Sequence, residues 1–194
     1  MRFLVRLANR GKSEPSDAKA LTASAYELVR GYGADVGNLR VSRAAIELDL
    51  LLPSNDALPS ATRALGEGLG ALLTVRELDT PAPQMDVARA IREGVGLFNE
   101  ERYWESHEAL EYAWRRAEGS EKEVLQGIIL VAAALVHLQK NETVVTLSVM
   151  VRANEKLSRY HGERFGVSID KLRETLSRMV ADKRPGFFKL ELRA

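Results

Sequence analysis

The sequence predicts an α+β protein in two parts, a ferredoxin-like sandwich in residues 1–79 and an all-α bundle of five helices in residues 86–194. Two observations predict this class. Strand and helix signals follow one another in the order βαββαβ up to Leu78, with short connections suited to right-handed crossovers. From Met85 onward the apolar residues recur at helical spacing. Residues 80–85 contain two prolines and form the predicted linker between the parts.

The strands and helices of the first part are predicted from local patterns. A helix starts near Pro15 and carries apolar residues at helical spacing from Ala18, and a shorter helix includes Leu58 and Leu65. Strand signals occupy four stretches: Arg2–Leu7, Asn38–Ser42, Ala44–Leu52 and Leu72–Leu78.

One face of this predicted sheet is polar and carries both signs of charge. In the expected strand order, the acidic strand with Glu47 and Asp49 lies between the strands that carry Arg2 and Arg40, so we expect cross-strand ion pairs. Sheets that bind RNA present aromatic side chains on their two central strands, and this face has none. We therefore expect no nucleic-acid binding.

The helices of the second part follow from apolar spacing and caps. The stretch Phe98–Trp114 reads as one helix. It forms the second helix of the bundle, for which we predict a start near Glu100 and an end at Gly119. Ser120 and Glu123 have the spacing of a capping box for a third helix. The predicted inward residues of a fourth helix are Val144, Leu147, Val151 and Leu157, and those of a fifth are Ile169, Leu172, Leu176 and Met179. The tail 187–192 alternates and forms a short strand or packs down.

An aromatic and polar stripe runs along the second of these helices. At 100° per residue one side gathers Tyr103, Trp104, His107, Glu111 and Trp114, with Leu110 and Glu108 at its edges. The aromatics predict that this side is buried, so its polar groups require partners. A hydrogen bond between His107 and Glu111, one turn apart, is the local solution. Alternatively, these polar groups find a more distant partner, which is a group on another helix or a metal.

The third helix carries a matching stripe. Gln126, Leu130, Ala133 and His137 share one side of it. The short connection at Gly119 predicts that the second and third helices are antiparallel neighbours. Their polar residues would then form one cluster of His107, Glu108, Glu111, Gln126 and His137, with Asn141 near its end.

These two helices carry a family resemblance. LFNEERYWESHEALEYAWR, followed by LQGIILVAAALVHLQKN, resembles the helical domain of unknown function DUF309 over about residues 87–157. The residues that match its motifs are Phe98, Asn99, Tyr103, Trp104, Glu105, His107, Glu108, Leu110, Glu111, Trp114, Gln126, Gly127, Ala132, Ala134, His137 and Asn141. Leu130 stands where the motif of that family often has glutamine. Residues 142–144 stand where its members tend to have glycine and alanine. The resemblance implies a compact helical bundle and no established activity.

Three interpretations of the cluster stay open. His107, Glu111 and His137 are candidate ligands of a divalent metal, although we assign no metal or other cofactor. His107, Glu108, Glu111 and His137 are candidate catalytic groups of a small metal-assisted hydrolase. The same side chains would otherwise satisfy one another and set the helix packing. The leading prediction is a self-associating binding module, with a groove between the second and third helices for a small ligand or partner segment. Its predicted ligand-binding or network residues are Asn99, Tyr103, Trp104, His107, Glu108, Glu111, Trp114, Gln126, His137 and Asn141.

Composition limits the class of protein. Apolar residues make up 45% and charged residues 28% of the chain, as in folded soluble proteins, and the net charge of +1 gives no field that attracts nucleic acid or acidic lipid. The chain contains no cysteine, which suits a reducing compartment. The longest apolar run, 127–136, is too short to span a bilayer. We expect a cytoplasmic protein that forms homo-oligomers and has no membrane partner.

Overall fold

The computed structural model describes residues 1–80 and 84–191. The chain divides into two compact units, of which the first is Met1–Pro83 with Gln139–Asn141 and the second is Gln84–Leu138 with Glu142–Ala194. Residues 81–83 of the predicted linker lie outside the described residues, as does Leu192 of the predicted tail strand. In the described part, no helix is long and apolar enough to cross a membrane.

The first unit is a four-stranded antiparallel sheet with the order β2-β3-β1-β4 and two α-helices. This is the ferredoxin-like order, so the predicted fold class is confirmed for this unit. Its elements are β1 Arg2–Ala8, α1 Ala18–Val29, β2 Asp35–Val41, β3 Ala45–Leu51, α2 Leu58–Gly68 and β4 Leu72–Glu77, with 3-10 turns at Pro15–Asp17, Arg30–Tyr32 and Asn55–Ala57.

Alternation along the strands determines which side chains enter the core of this unit. Val5 on β1 pairs with Leu48 on β3, and both are fully buried together with Leu65 of α2. The intervening residues point to the other face, where Arg6 Nε lies 2.8 Å from Glu47 and Arg2 Nε lies 3.1 Å from Asp49. Arg40 contacts the same two carboxylates at 3.5 and 3.4 Å. The predicted cross-strand ion pairs are therefore confirmed.

The second unit contains five α-helices among its described residues, as predicted. They are α3 Val87–Asn99, α4 Tyr103–Trp114, α5 Gly119–Gln139, α6 Thr143–Leu157 and α7 Ile169–Ala181, with the two-residue strands β5 Glu163–Arg164 and β6 Val167–Ser168 between the last two. One hydrophobic core joins residues from all five helices. The α+β class of the whole chain is thus confirmed.

The predicted single helix Phe98–Trp114 is wrong, because two helices meet within it. Glu101 adopts a left-handed φ of 62°, and its N–H donates to the Phe98 carbonyl at 3.0 Å. The Arg102 N–H donates to the Leu97 carbonyl at 3.0 Å. These two bonds complete a Schellman ending for α3, which usually requires glycine at the left-handed position. Gly119 begins α5 instead of ending α4.

The predicted inward side of α6 is also wrong in part. Val144 is 82% exposed and Val151 is 38% exposed. The buried side consists of Thr146, Val149, Met150, Ala153 and Leu157, of which only Leu157 was predicted. Helix α6 is apolar on two opposite sides, so apolar spacing alone could not identify the side that faces the core.

Candidate functional site

The orientation of α4 is set by its close contact with α3. The Ser106 hydroxyl donates to the Gly94 carbonyl at 2.7 Å, and both residues are buried. A Cβ atom at Gly94 would lie 2.6 Å from Cγ of Leu110, so the two helices touch where α3 has no side chain. The face of α4 that enters the core is therefore Tyr103, Ser106, Leu110 and Ala113.

The predicted stripe is divided between this core face and the surface beside it. Tyr103 is fully buried on the core face, as predicted. Trp104, His107, Glu111 and Trp114 are half-buried, and Glu108 is exposed. The predicted burial is therefore wrong for these partly exposed side chains, because a serine and a leucine of the core face make the close contact with α3 while the larger tryptophans border it. We call the group Trp104, His107, Glu108, Glu111 and Trp114 the tryptophan face.

The charged partner of Glu111 is a neighbour on the helix surface. Glu111 Oε1 lies 2.9 Å from Nη2 of Arg115, one turn further along the chain. The sequence predicted a hydrogen bond between Glu111 and His107. In the structure Glu111 pairs with Arg115 instead. Because 65% of the Arg115 side chain is exposed, this ion pair is weak and readily exchanged.

Trp114 combines an occupied ring face with an unused donor. The ammonium nitrogen of Lys122, in the first turns of α5, lies 4.8 Å from the centre of the indole ring, a cation–π distance. The indole Nε1 is buried and has no hydrogen-bond partner among the described residues. Most buried donors have a partner, so this indole N–H is an exception to that rule.

The polar residues predicted on α5 are half-buried. Gln126 and His137 both have this intermediate exposure. His137, in the last turn, pairs through Nδ1 with Glu142. The Glu142 N–H donates to the His137 carbonyl at 2.9 Å, and Asn141 between them has a left-handed φ of 62°. His137 and Asn141 therefore take part in the turn that ends α5.

Two residues of the resemblance motif hold the C-terminal tail. Asn99 accepts from the Leu190 N–H at 2.7 Å and donates to the Leu190 carbonyl at 3.1 Å. The Tyr103 ring stacks on Phe187, with centroids 5.9 Å apart. In the described residues of the tail, 187–191, no strand forms, so the second of the two predicted alternatives, a tail that packs down, is the observed one.

Replacing Asn99 with alanine is expected to lower the free energy of unfolding by roughly 2 kcal/mol. Leu190 is buried, so its backbone N–H and carbonyl would lose partners without gaining water. Urea unfolding measures the loss. Asn154→Ala is the control, because its 3.0 Å bond to Ser177 is exposed and its removal should cost less than half as much. Equal losses in the two variants would contradict a tail-holding role for Asn99.

Two contacts between charged and polar side chains fix the ends of helices in this unit. Glu105 accepts from Nε and Nη2 of Arg102, both at 2.8 Å, and raises the pKa of the guanidinium above its ordinary value. The Tyr160 hydroxyl donates to Glu123 at 2.6 Å, which lowers the pKa of Glu123 and raises the pKa of Tyr160. Sequence reasoning missed Tyr160 and Ser106, since their partners lie 37 and 12 residues away in the chain. It also missed Arg102, although its partner lies only three residues further along the chain.

The candidate metal ligands do not form a ligand set. Within residues 1–80 and 84–191, no three histidine, aspartate or glutamate side chains are grouped so that they could hold a metal ion. Glu111 pairs with Arg115, and His137 pairs with Glu142. The arrangement of the tryptophan face suits binding through aromatic rings and carboxylates.

Comparison with known proteins locates one matching family. No curated protein matches the chain. Residues 91–148, which run from α3 into α6, match the model of the family described as "Domain of unknown function (DUF309)", and this match confirms the resemblance predicted from the motifs of α4 and α5.

Proposed function

We propose that this chain is a binding module and that the tryptophan face holds a cationic ligand or a cationic segment of a partner protein. One observation carries the proposal: Trp114 already has the Lys122 ammonium over its ring, on a helix face that also presents Glu108 and Glu111. An aromatic ring beside carboxylates attracts ammonium and guanidinium groups.

The existing contacts on this face can be exchanged for those of a ligand. The Lys122 contact and the Glu111–Arg115 ion pair are held within the chain by flexible side chains. A cation from a ligand can replace either one at low cost, because surface ion pairs contribute only about 0–1 kcal/mol.

A peptide would satisfy more of the face than a simple cation. Trp104 lies further along the same face and adds a second aromatic surface. These features support a short basic segment as the ligand class. A cytoplasmic location for this binding remains a prediction from composition.

Tryptophan fluorescence tests the proposal directly. The chain contains two tryptophans, and both belong to the tryptophan face. Titration with tri-arginine amide is expected to change their emission saturably, with a midpoint in the millimolar range, about −4 kcal/mol. Tri-glutamate should have no effect, and added salt should weaken the response to tri-arginine.

Charge variants identify the site. Glu111→Gln is expected to raise the midpoint at least threefold, because it removes a carboxylate from the face. Glu174→Gln, an exposed position on α7, changes the net charge equally and should leave the midpoint unchanged. An unchanged emission with tri-arginine, or the same midpoint for both variants, would exclude this face as a cation-binding site.

A further inference from the structure

The backbone of Lys122 is held in place beside the tryptophan face. Lys122 lies in the first turns of α5, where its N–H donates to the Glu118 carbonyl at 3.3 Å. Two and three residues further along the chain, Val124 and Leu125 are fully buried in the core. The core therefore anchors this turn of the helix, and the flexible side chain of Lys122 places its ammonium 4.8 Å from the centre of the Trp114 ring.

This ammonium contacts an aromatic ring although a carboxylate stands at a favourable position in the sequence. Glu118 precedes Lys122 by one helical turn, a spacing that usually favours an ion pair. In the part of the chain that the structure describes, no carboxylate forms an ion pair with Lys122. The Trp114 ring is thus the partner of this charge.

We propose, building on the proposed function, that Lys122 is an internal competitor that covers the Trp114 ring until a cationic ligand displaces it. The ring face under Lys122 is the one that a cation reaches in this structure. Two cations cannot occupy the same face of one ring, because they exclude and repel each other. The contact is therefore autoinhibitory, and Lys122 determines how strongly a ligand must bind in order to take the ring.

The short connection between Lys122 and the helix makes it an effective competitor. A group on a short flexible tether has an effective concentration in the millimolar range, comparable with the midpoint expected for tri-arginine amide. A site that is open for only a fraction of the time binds its ligand more weakly by that fraction. Loss of the ammonium should lower the midpoint about threefold to fivefold, or about 0.7–1 kcal/mol, the strength of an exposed cation–π contact.

Lys122→Met tests the inference, because it removes the ammonium and keeps an unbranched side chain. Titration with tri-arginine amide, followed by tryptophan emission, should give a midpoint about three to five times lower than that of the unmodified chain. Lys122→Arg keeps a cation at the end of the side chain, so its midpoint should be unchanged or higher. A decrease with Lys122→Arg equal to that with Lys122→Met would overturn the inference.

Arg116→Met is the matched control, because it removes the same charge from a neighbouring position. The guanidinium carbon of Arg116, just beyond α4, lies 3.7 Å from the centre of the Tyr112 ring. Tyr112 does not belong to the tryptophan face, so the midpoint for tri-arginine amide should change less than twofold. A decrease as large as that of Lys122→Met would show that net charge controls the affinity and that occupation of the ring does not, and the inference would fail.

NMR spectroscopy follows the displaced side chain directly. Ring currents of Trp114 should shift the ε-methylene protons of Lys122 upfield, and saturating tri-arginine amide should return them to the values of a free lysine. Persistent upfield shifts at saturation would overturn the inference. Equal midpoints for the unmodified chain and Lys122→Met would also overturn it while leaving the proposed function standing. No response of either protein to tri-arginine amide would refute the proposed function and this inference together.

Discussion

Replacing Tyr103 with alanine is expected to lower the free energy of unfolding of the helical unit by about 3–5 kcal/mol. The ring is fully buried, lies edge-on to Phe98 with centroids 4.9 Å apart, and stacks on Phe187 at 5.9 Å. Its removal leaves a cavity between α3, α4 and the C-terminal tail. Because small domains are stable by only about 5–15 kcal/mol, the variant should be close to unfolding at moderate temperature. Urea unfolding followed by tryptophan emission measures the change.

Trp104→Ala is the matched control for this prediction. Trp104 is the larger side chain and the next residue in the sequence, but it is half-buried on the tryptophan face. Its removal is expected to cost less than half as much as the loss of Tyr103, because much of the ring already contacts water. A larger loss for Trp104→Ala than for Tyr103→Ala would mean that the core side of α4 has been misidentified.

The contrast between these two aromatics shows how far the sequence can predict the site. Apolar spacing located α4 and its stripe, but both tryptophans were taken to mark the buried side. The contact with α3 is made instead by Ser106, which is too small to stand out in an apolar pattern, and by Leu110. Their importance depends on Gly94, which lies on a different helix.

The polar face of the first unit could be predicted because strand geometry, unlike helix packing, determines locally where each side chain points. Strand alternation has a period of two, so a residue such as Glu47 can face only one of two sides. Once the strand order was inferred, its pairing with Arg6 and Arg40 followed from register. Helix α6 lacks this constraint, because its valines satisfy helical spacing on both sides and only the surrounding helices decide between them. The left-handed Glu101 was unpredictable, since that conformation usually requires glycine.

Gly94→Val is expected to lower the free energy of unfolding by about 3 kcal/mol, at the upper end of the cost of overfilling a packed core. Its Cβ would lie 2.6 Å from Cγ of Leu110 and 3.3 Å from the Leu110 backbone nitrogen. Leu110 is fully buried, so relief requires α3 and α4 to separate, which would also stretch the bond between Ser106 and the Gly94 carbonyl. Gly94→Ala should show a smaller loss of the same sign.

Gly96→Ala is the control for Gly94→Ala, because Gly94 and Gly96 lie two residues apart on α3 and the free energy of unfolding should change in opposite directions. Gly96 is exposed, and nothing lies within 4 Å of the position that its Cβ would occupy. Alanine there should raise the free energy of unfolding by roughly 0.5–1 kcal/mol through helix propensity. The same propensity gain operates at Gly94, so the difference between the two alanine variants measures the steric contact with α4. If both alanine variants were stabilised, the close approach of α3 to α4 would be disproved, and with it the orientation that places the tryptophan face toward solvent.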